Sequence, residues 1–161
     1  MKAYIRLVDG LSRAGGVIAI LLLLGAVLVV TQMVFVRYVL TGSTIWQTEF
    51  VTYSLIAATF LGSPYVLLQK GHVNVDLLQN AASATGRRIM QALSGVLSIV
   101  FCALLAWSGW EHFHEALTNG WTTDTVWKLP LWIPLLPLPL GVGLLVAQFI
   151  AELMKLKEEQ S

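Results

Sequence analysis

Read from its start, the chain alternates long apolar runs with short polar stretches, and the charges mark where each run begins and ends. Four stretches carry no ionisable side chain: Ala14–Val36, Phe50–Gln69, Ile89–Trp110 and Leu129–Ala151. Each reaches the ~20 residues a helix needs to cross ~30 Å of hydrocarbon, and a charge at mid-bilayer costs roughly 2.5 to 3.5 kcal/mol, so the boundaries are sharp. The pattern predicts an all-α integral membrane protein, one domain over 1–161, with four transmembrane helices at about 14–36, 46–69, 89–110 and 129–151.

Ahead of the first run, Tyr4, Leu7, Val8 and Leu11 fall on one helical face and Lys2, Arg6, Asp9 and Arg13 on the other. That suits a short helix lying on the membrane surface or, equally, a frayed terminus. Lys2 and Arg6 before an apolar run also resemble the start of a signal peptide. The run is too long for one and no small-residue cleavage site closes it, so the segment is expected to stay in the mature chain.

Small residues recur at helical spacing: Ser54, Ala58 and Gly62; Gly95, Ser98, Cys102, Ala106 and Gly109; Gly143, Ala147 and Ala151. Such faces let backbones approach closely and predict a tightly packed bundle. The fourth span opens "LPLWIPLLPLPLG", with Pro130 suited to a first helical turn. Pro134, Pro137 and Pro139 each remove a backbone donor, so this stretch should pack against the chain's other helices or another subunit rather than face lipid. Pro64 predicts a milder kink in the second span.

Composition agrees with the pattern. The chain is 57% hydrophobic and 12% charged, with mean hydropathy +0.74, whereas soluble domains run about 25% charged. A net charge of +1 gives no sign of a nucleic-acid partner, and a single cysteine, Cys102, excludes disulfide or dithiol chemistry within the chain. Lys2, Arg6, Arg13, Lys70, Arg87, Arg88, Lys155 and Lys157 lie on one side of the predicted spans and only Arg37 and Lys128 on the other. By the positive-inside rule, both termini and the loop between spans two and three are cytoplasmic.

That inner loop reads "LLQKGHVNVDLL". Lys70 suits the last turn of a helix, where a cation favours the macrodipole, and Gly71 suits a left-handed cap. Val75, Leu78 and Ala82 can give a short interfacial helix its apolar edge. His72 and Asp76, four apart, can pair, but a metal site needs more ligands than this loop offers. At the opposite end stand Trp46, Trp107, Trp110, Trp121, Trp127 and Trp132, none of them on the cytoplasmic side. Aromatic belts mark both interfaces, so this bias is either chance in a small set or a face shaped for partner contact.

No Asp, Glu, Lys, Arg or His occupies the centre of any span, which leaves no visible proton relay or ion site. Arg37 and Glu49, at the outer ends of the first two spans, are expected to form a salt bridge that pins the hairpin, the alternative being two separately solvated charges. "WEHFHEAL" places Glu111, His114 and Glu115 on one face, with His112 beside them. It has the spacing of half a carboxylate-histidine metal site without a second half, and interfacial anchoring accounts for it. A haem anchor would need histidines set within the bundle.

The stretch "WQTEFVTYSLIAATFLGSPYVLLQKGHVNVDLL", Trp46 to Leu78, resembles the signature region of the small membrane subunit of tripartite ATP-independent periplasmic (TRAP) transporters, the DctQ-like family. The matching positions are Trp46, Glu49, Tyr53, Phe60, Leu61, Gly62, Lys70, His72, Val75 and Asp76. Arg37, Pro130, Trp132, Pro139 and Gly141 also fit. Many members carry a second acid where this chain has Thr48 and a basic residue where it has Thr52, so a larger charge network is not kept.

The resemblance implies a non-enzymatic small permease subunit of a sodium-coupled, binding-protein-dependent importer of an organic acid, multi-pass in a bacterial inner membrane. Its implied partners are a large membrane permease subunit, a periplasmic substrate-binding protein and the bilayer; sodium coupling belongs to the large subunit, and no cofactor is expected here. Arg37, Glu49, Gly62, Lys70, His72 and Asp76 are the candidate assembly residues, and the six tryptophans the candidate partner contacts. A membrane anchor for a respiratory redox complex is the alternative, and a self-assembling small exporter would lack the intramembrane acid it needs.

Overall fold

The computed structural model describes residues 2–69, 84–125 and 127–158. Helices α1 (Lys2–Tyr38), α2 (Ile45–Leu68), α3 (Ala84–Thr118), the single turn α4 (Trp132–Leu135) and α5 (Pro137–Glu158) account for most of them. Four helical stretches are long and apolar enough to cross a membrane, as the hydrophobic pattern predicts. Among the described residues there is no β-strand, only an isolated bridge between Thr122 and Pro130. The inner loop, with Lys70, His72, Asp76 and the interfacial helix predicted there, lies outside the described residues.

The largest departure from expectation is at the start of the chain. Residues 2–13 neither form a separate surface helix nor fray; they continue α1, which at 1.5 Å per residue is about 55 Å long. No proline breaks the run. The face turned inward is Val8, Ser12, Gly15, Gly16, Ala19 and Ala26, all buried, whereas Tyr4, Leu7 and Leu11 of the predicted apolar face are exposed. Small side chains win that face because α2 comes so close. A Cβ on Gly15 would stand 2.6 Å from the Leu61 carbonyl oxygen, and Gly16 lies against the Tyr65 ring.

On α2 the predicted face holds: Ser54 and Ala58 are buried, and Gly62 meets Ala19 of α1. Pro64, fully buried, leaves the Phe60 carbonyl without its usual i+4 donor. There the α5 backbone closes in, at Gly141, where a Cβ would come within 2.3 Å of that carbonyl oxygen. The spare acceptor and the missing side chain are therefore one joint. Gly143, expected with Ala147 and Ala151 on a close-approach face, is exposed and has nothing within 4 Å of its Cβ position among the described residues.

The proline-rich stretch divides the last span. Pro130 does not open a helix; it belongs to an outer hairpin in which Thr123 N–H donates to Leu129 O at 2.9 Å and Leu131 N–H to Trp121 O at 2.8 Å. The Pro130 carbonyl accepts from Ile133 N–H at 3.1 Å in the turn that leads into α4. Pro134 sits in α4, and α5 begins at Pro137, where a missing N–H costs nothing. Pro137 and Pro139 are buried, and Gly109 of α3 packs on Leu138, in line with the expectation that this backbone avoids lipid.

The arrangement is more open than a closed four-helix bundle. α5 touches α1, α2 and α3, and α1 lies along α2, but among the described residues α3 meets only α4 and α5. Cys102 and Gly109 are the buried points of its small-residue face.

Candidate interface sites at the two ends of the bundle

The inner end is held by a polar network that the sequence reading did not anticipate. Ser12 and Gln148, both fully buried, meet across α1 and α5, with Ser12 Oγ donating to Gln148 Oε1 at 2.8 Å. Gln148 Nε2 donates to Asp9 Oδ1 at 3.0 Å and to Glu152 Oε1 at 3.1 Å. Lys155 Nζ closes the ring on the same two oxygens, at 3.0 Å and 2.7 Å. One turn towards the N-terminus, Tyr4 OH donates to the Ala147 carbonyl at 3.2 Å. These contacts are why α1 continues to Lys2, and they bring the start of α1 and the last turns of α5 to the same end.

Burial alone would raise the Asp9 carboxyl, but hydrogen bonds from Gln148 and Lys155, with the charges of Lys155 and Arg13, hold it below its ordinary value of 3.8. Burial likewise disfavours the Lys155 ammonium, yet its bonds to Glu152 and Asp9 raise it above 10.5. A signal was present in the sequence. Gln148 is the one amide in the last span, and helical spacing puts Glu152 and Lys155 beside it.

The outer end differs from expectation at its charges. Arg37 and Glu49 do not pair. Among the described residues the ion pairs are Lys155 with Asp9 and Lys155 with Glu152, and both Glu49 carboxylate oxygens are buried without a hydrogen-bond partner. Arg37 is exposed in the last turn of α1, beyond which Val39 N–H bonds Phe35 O and Thr41 turns the chain with φ 49°. Glu49 lies a full turn inside α2, with its carboxylate folded against the chain. Gln47, nearly fully buried, also leaves its Oε1 unmatched.

The tryptophans gather at this end, as the sequence places them. Trp107, Trp110, Trp121, Trp127 and Trp46 are exposed, and Trp132 is half-buried. Trp46 and Trp127 wall a cleft of about 310 Å³ with Ser43 and Ile45. Trp107 Nε1 donates to Glu111 Oε1 at 3.2 Å, and the His112 ring stands edge-on to Trp121, 6.2 Å between centroids. α3 ends at Thr118 and is capped by the left-handed Gly120, φ 62°, whose successor Trp121 donates back to Ala116 O, so the helix terminus aims Trp121 and the hairpin. Among the described residues no three His, Cys, Asp or Glu side chains cluster as metal ligands.

Comparison with known proteins adds a family. The family described as tripartite ATP-independent periplasmic transporters, DctQ component, matches residues 26–158. One relative is the C4-dicarboxylate TRAP transporter small permease protein DctQ of Vibrio cholerae serotype O1, 26% identical over 138 residues, covering 73% of this chain and 60% of that protein. Another is the isethionate TRAP transporter permease protein DctMQ of Oleidesulfovibrio alaskensis, 20% identical over 137 residues, 81% of this chain and 21% of that protein. The chain thus spans less than two thirds of the first relative and about a fifth of the second. No solved structure matches it.

Proposed function

This chain belongs to the DctQ component family of tripartite ATP-independent periplasmic transporters, and from that premise we propose that it is the small permease subunit of an importer of small organic anions, acting as a helical scaffold for a large permease subunit. The observation that carries the reading is the family match over residues 26–158 on a four-span chain whose spans hold no Asp, Glu, Lys, Arg or His at their centres. Such a chain has nothing with which to carry an ion or a substrate, so transport and sodium coupling fall to its partner. The relatives' names, one for C4-dicarboxylates and one for isethionate, favour a carboxylate or sulfonate substrate. The four fifths of the second relative beyond this match are read as the large permease part joined to a small one.

On this reading the chain is a multi-pass protein of a bacterial inner membrane with both termini cytoplasmic, and the tryptophan-rich end faces the periplasm. There the exposed rings and the Trp121–Leu131 hairpin form the surface offered to a substrate-binding protein. Glu49, with its unmatched carboxylate, is an assembly residue, whereas Arg37 is not its partner.

The test is to tag the chain at its C-terminus, extract it gently from native membranes, and identify what co-purifies while recording a visible spectrum. A stoichiometric large polytopic permease without haem absorbance supports the scaffold role. A haem band with a soluble oxidoreductase subunit would replace it with a redox anchor. Glu49→Gln is expected to lower both the co-purified permease and anion uptake; normal assembly with full uptake would remove Glu49 from that role.

A further inference from the structure

Helix α2 carries a second face that the chain itself does not use. Glu49, Thr52, Ile56, Thr59, Ser63 and Val66 follow one another at intervals of three and four, the spacing of a seam between two helices crossing at a shallow angle. Ser54 and Ala58, the buried positions, lie on the other side of the helix, whereas Thr52, Ile56, Thr59 and Val66 are exposed and Ser63 half-buried. We propose that the large permease subunit lays a transmembrane helix along this seam, with a hydrogen-bond donor or cation of its own opposite Glu49. The proposal rests on the scaffold reading above and deepens it.

Three observations favour a helix over lipid. First, the seam differs from the chain's other outward faces: α1 shows Val17, Leu21, Leu24 and Leu28, and α3 shows Leu97, Val100, Phe101 and Leu104, the side chains acyl tails require. The seam instead carries hydroxyls. Each has turned back on its own helix, Thr52 to Thr48 O at 2.9 Å, Thr59 to Leu55 O at 2.8 Å and Ser63 to Thr59 O at 2.6 Å, leaving a narrow, self-satisfied surface for close approach. Second, a hollow of about 410 Å³ opens beside its inner half, between α1 and α2, lined by Gly16, Ala19, Gly62, Thr59 and Ser63. That space can take side chains from an arriving helix.

The third observation selects the occupant. Both oxygens of Glu49, the residue at the outer end of the seam, are buried without a hydrogen-bond partner, a demand no hydrocarbon tail can answer. The occupant must therefore carry a donor there. A second copy of this chain fails the requirement, because a two-fold pair about the seam would set one Glu49 carboxylate against the other. A chain with a complementary donor fits.

The test is photo-crosslinking in membranes that contain the whole transporter. A small diazirine side chain is placed singly at Thr52, Thr59 or Val66, and, for comparison, at Leu28 on α1 or Leu97 and Phe101 on α3. The expected result is a band at the combined mass of the small and large subunits from the seam positions and its loss from the comparison positions. In parallel, Glu49→Ala should lower the large subunit recovered with the tagged chain about tenfold, the size of one interhelical hydrogen bond. The proposal is overturned if the crosslinks come from α1 or α3 instead, join two copies of this chain, or are absent from the seam in an intact complex. If the unmodified chain recovers no large permease at all, the scaffold reading itself has failed, and this proposal goes with it.

Discussion

At the scale of single residues, the fully buried Ser12–Gln148 bond and the half-buried ring around Lys155 set the inner end. Gln148→Leu leaves Ser12 without its partner and Asp9 with Lys155 as its remaining side-chain donor, and is expected to cost about 1–3 kcal/mol, read as a lower thermal midpoint in detergent. Titration adds a second check. Asp9 is held below 3.8, so its contribution is present above that value and is lost as pH falls through the lower folded value. Lys155 is raised above 10.5, so its contribution is complete below that value and lost as pH rises through the higher one. Stability should therefore fall off at both extremes, and Lys155→Met should flatten both limbs; an unchanged profile would remove the ring from the stability of this end. The residues of the network were only half legible in the sequence. Asp9 sat among basic neighbours and was assigned with them to a solvated face, because nothing local tells that a partner 139 positions away will cover it. Glu49 shows the converse: an opposite charge close along the chain suggested a pair, but a depth offset of one helical turn kept Arg37 away.

At the scale of elements, the joint between α2 and α5 gives a matched pair of predictions. Gly141→Ala puts a methyl group into the Phe60 backbone, which cannot move aside, and is expected to cost at least the roughly 1–3 kcal/mol of an overpacked core. Gly143→Ala meets open space and should be neutral or stabilising by about 0.5–1 kcal/mol, since alanine is the better helix former. Thermal unfolding of the two variants side by side checks both, and equal effects would refute the joint. That four helices are able to cross a membrane was legible because hydrocarbon tolerates neither charge nor unpaired backbone. Helix length beyond the bilayer was not. The continuation of α1 to Lys2 and of α3 to Thr118 depends on partners outside the hydrocarbon, where hydropathy carries no information. Spacing also identified small-residue faces without telling which glycine is the contact; that depended on where Pro64 freed a carbonyl.

At the scale of the whole molecule, α1, α2 and α5 form a mutually packed group, and among the described residues α3 is attached through α5 and α4 alone. Hydrogen exchange in detergent should therefore show the middle of α3 opening before the middle of α2, even though both are apolar helices of the membrane. Exchange as slow in α3 as in α2 would mean that contacts beyond the described residues close the group. The inner network has one more consequence, for the bilayer. A single helix meets a thicker or thinner membrane by tilting, but α1 and α5 are riveted together at the level of Asp9, Gln148 and Lys155, and again by Tyr4 beyond it. Neither can tilt without the other, and the charged ring must stay at the lipid headgroups. The apolar run of α1, Ala14–Val36, is about 35 Å long against ~30 Å of hydrocarbon, so the tilt that takes up the difference has to be made by α1 and α5 as one body.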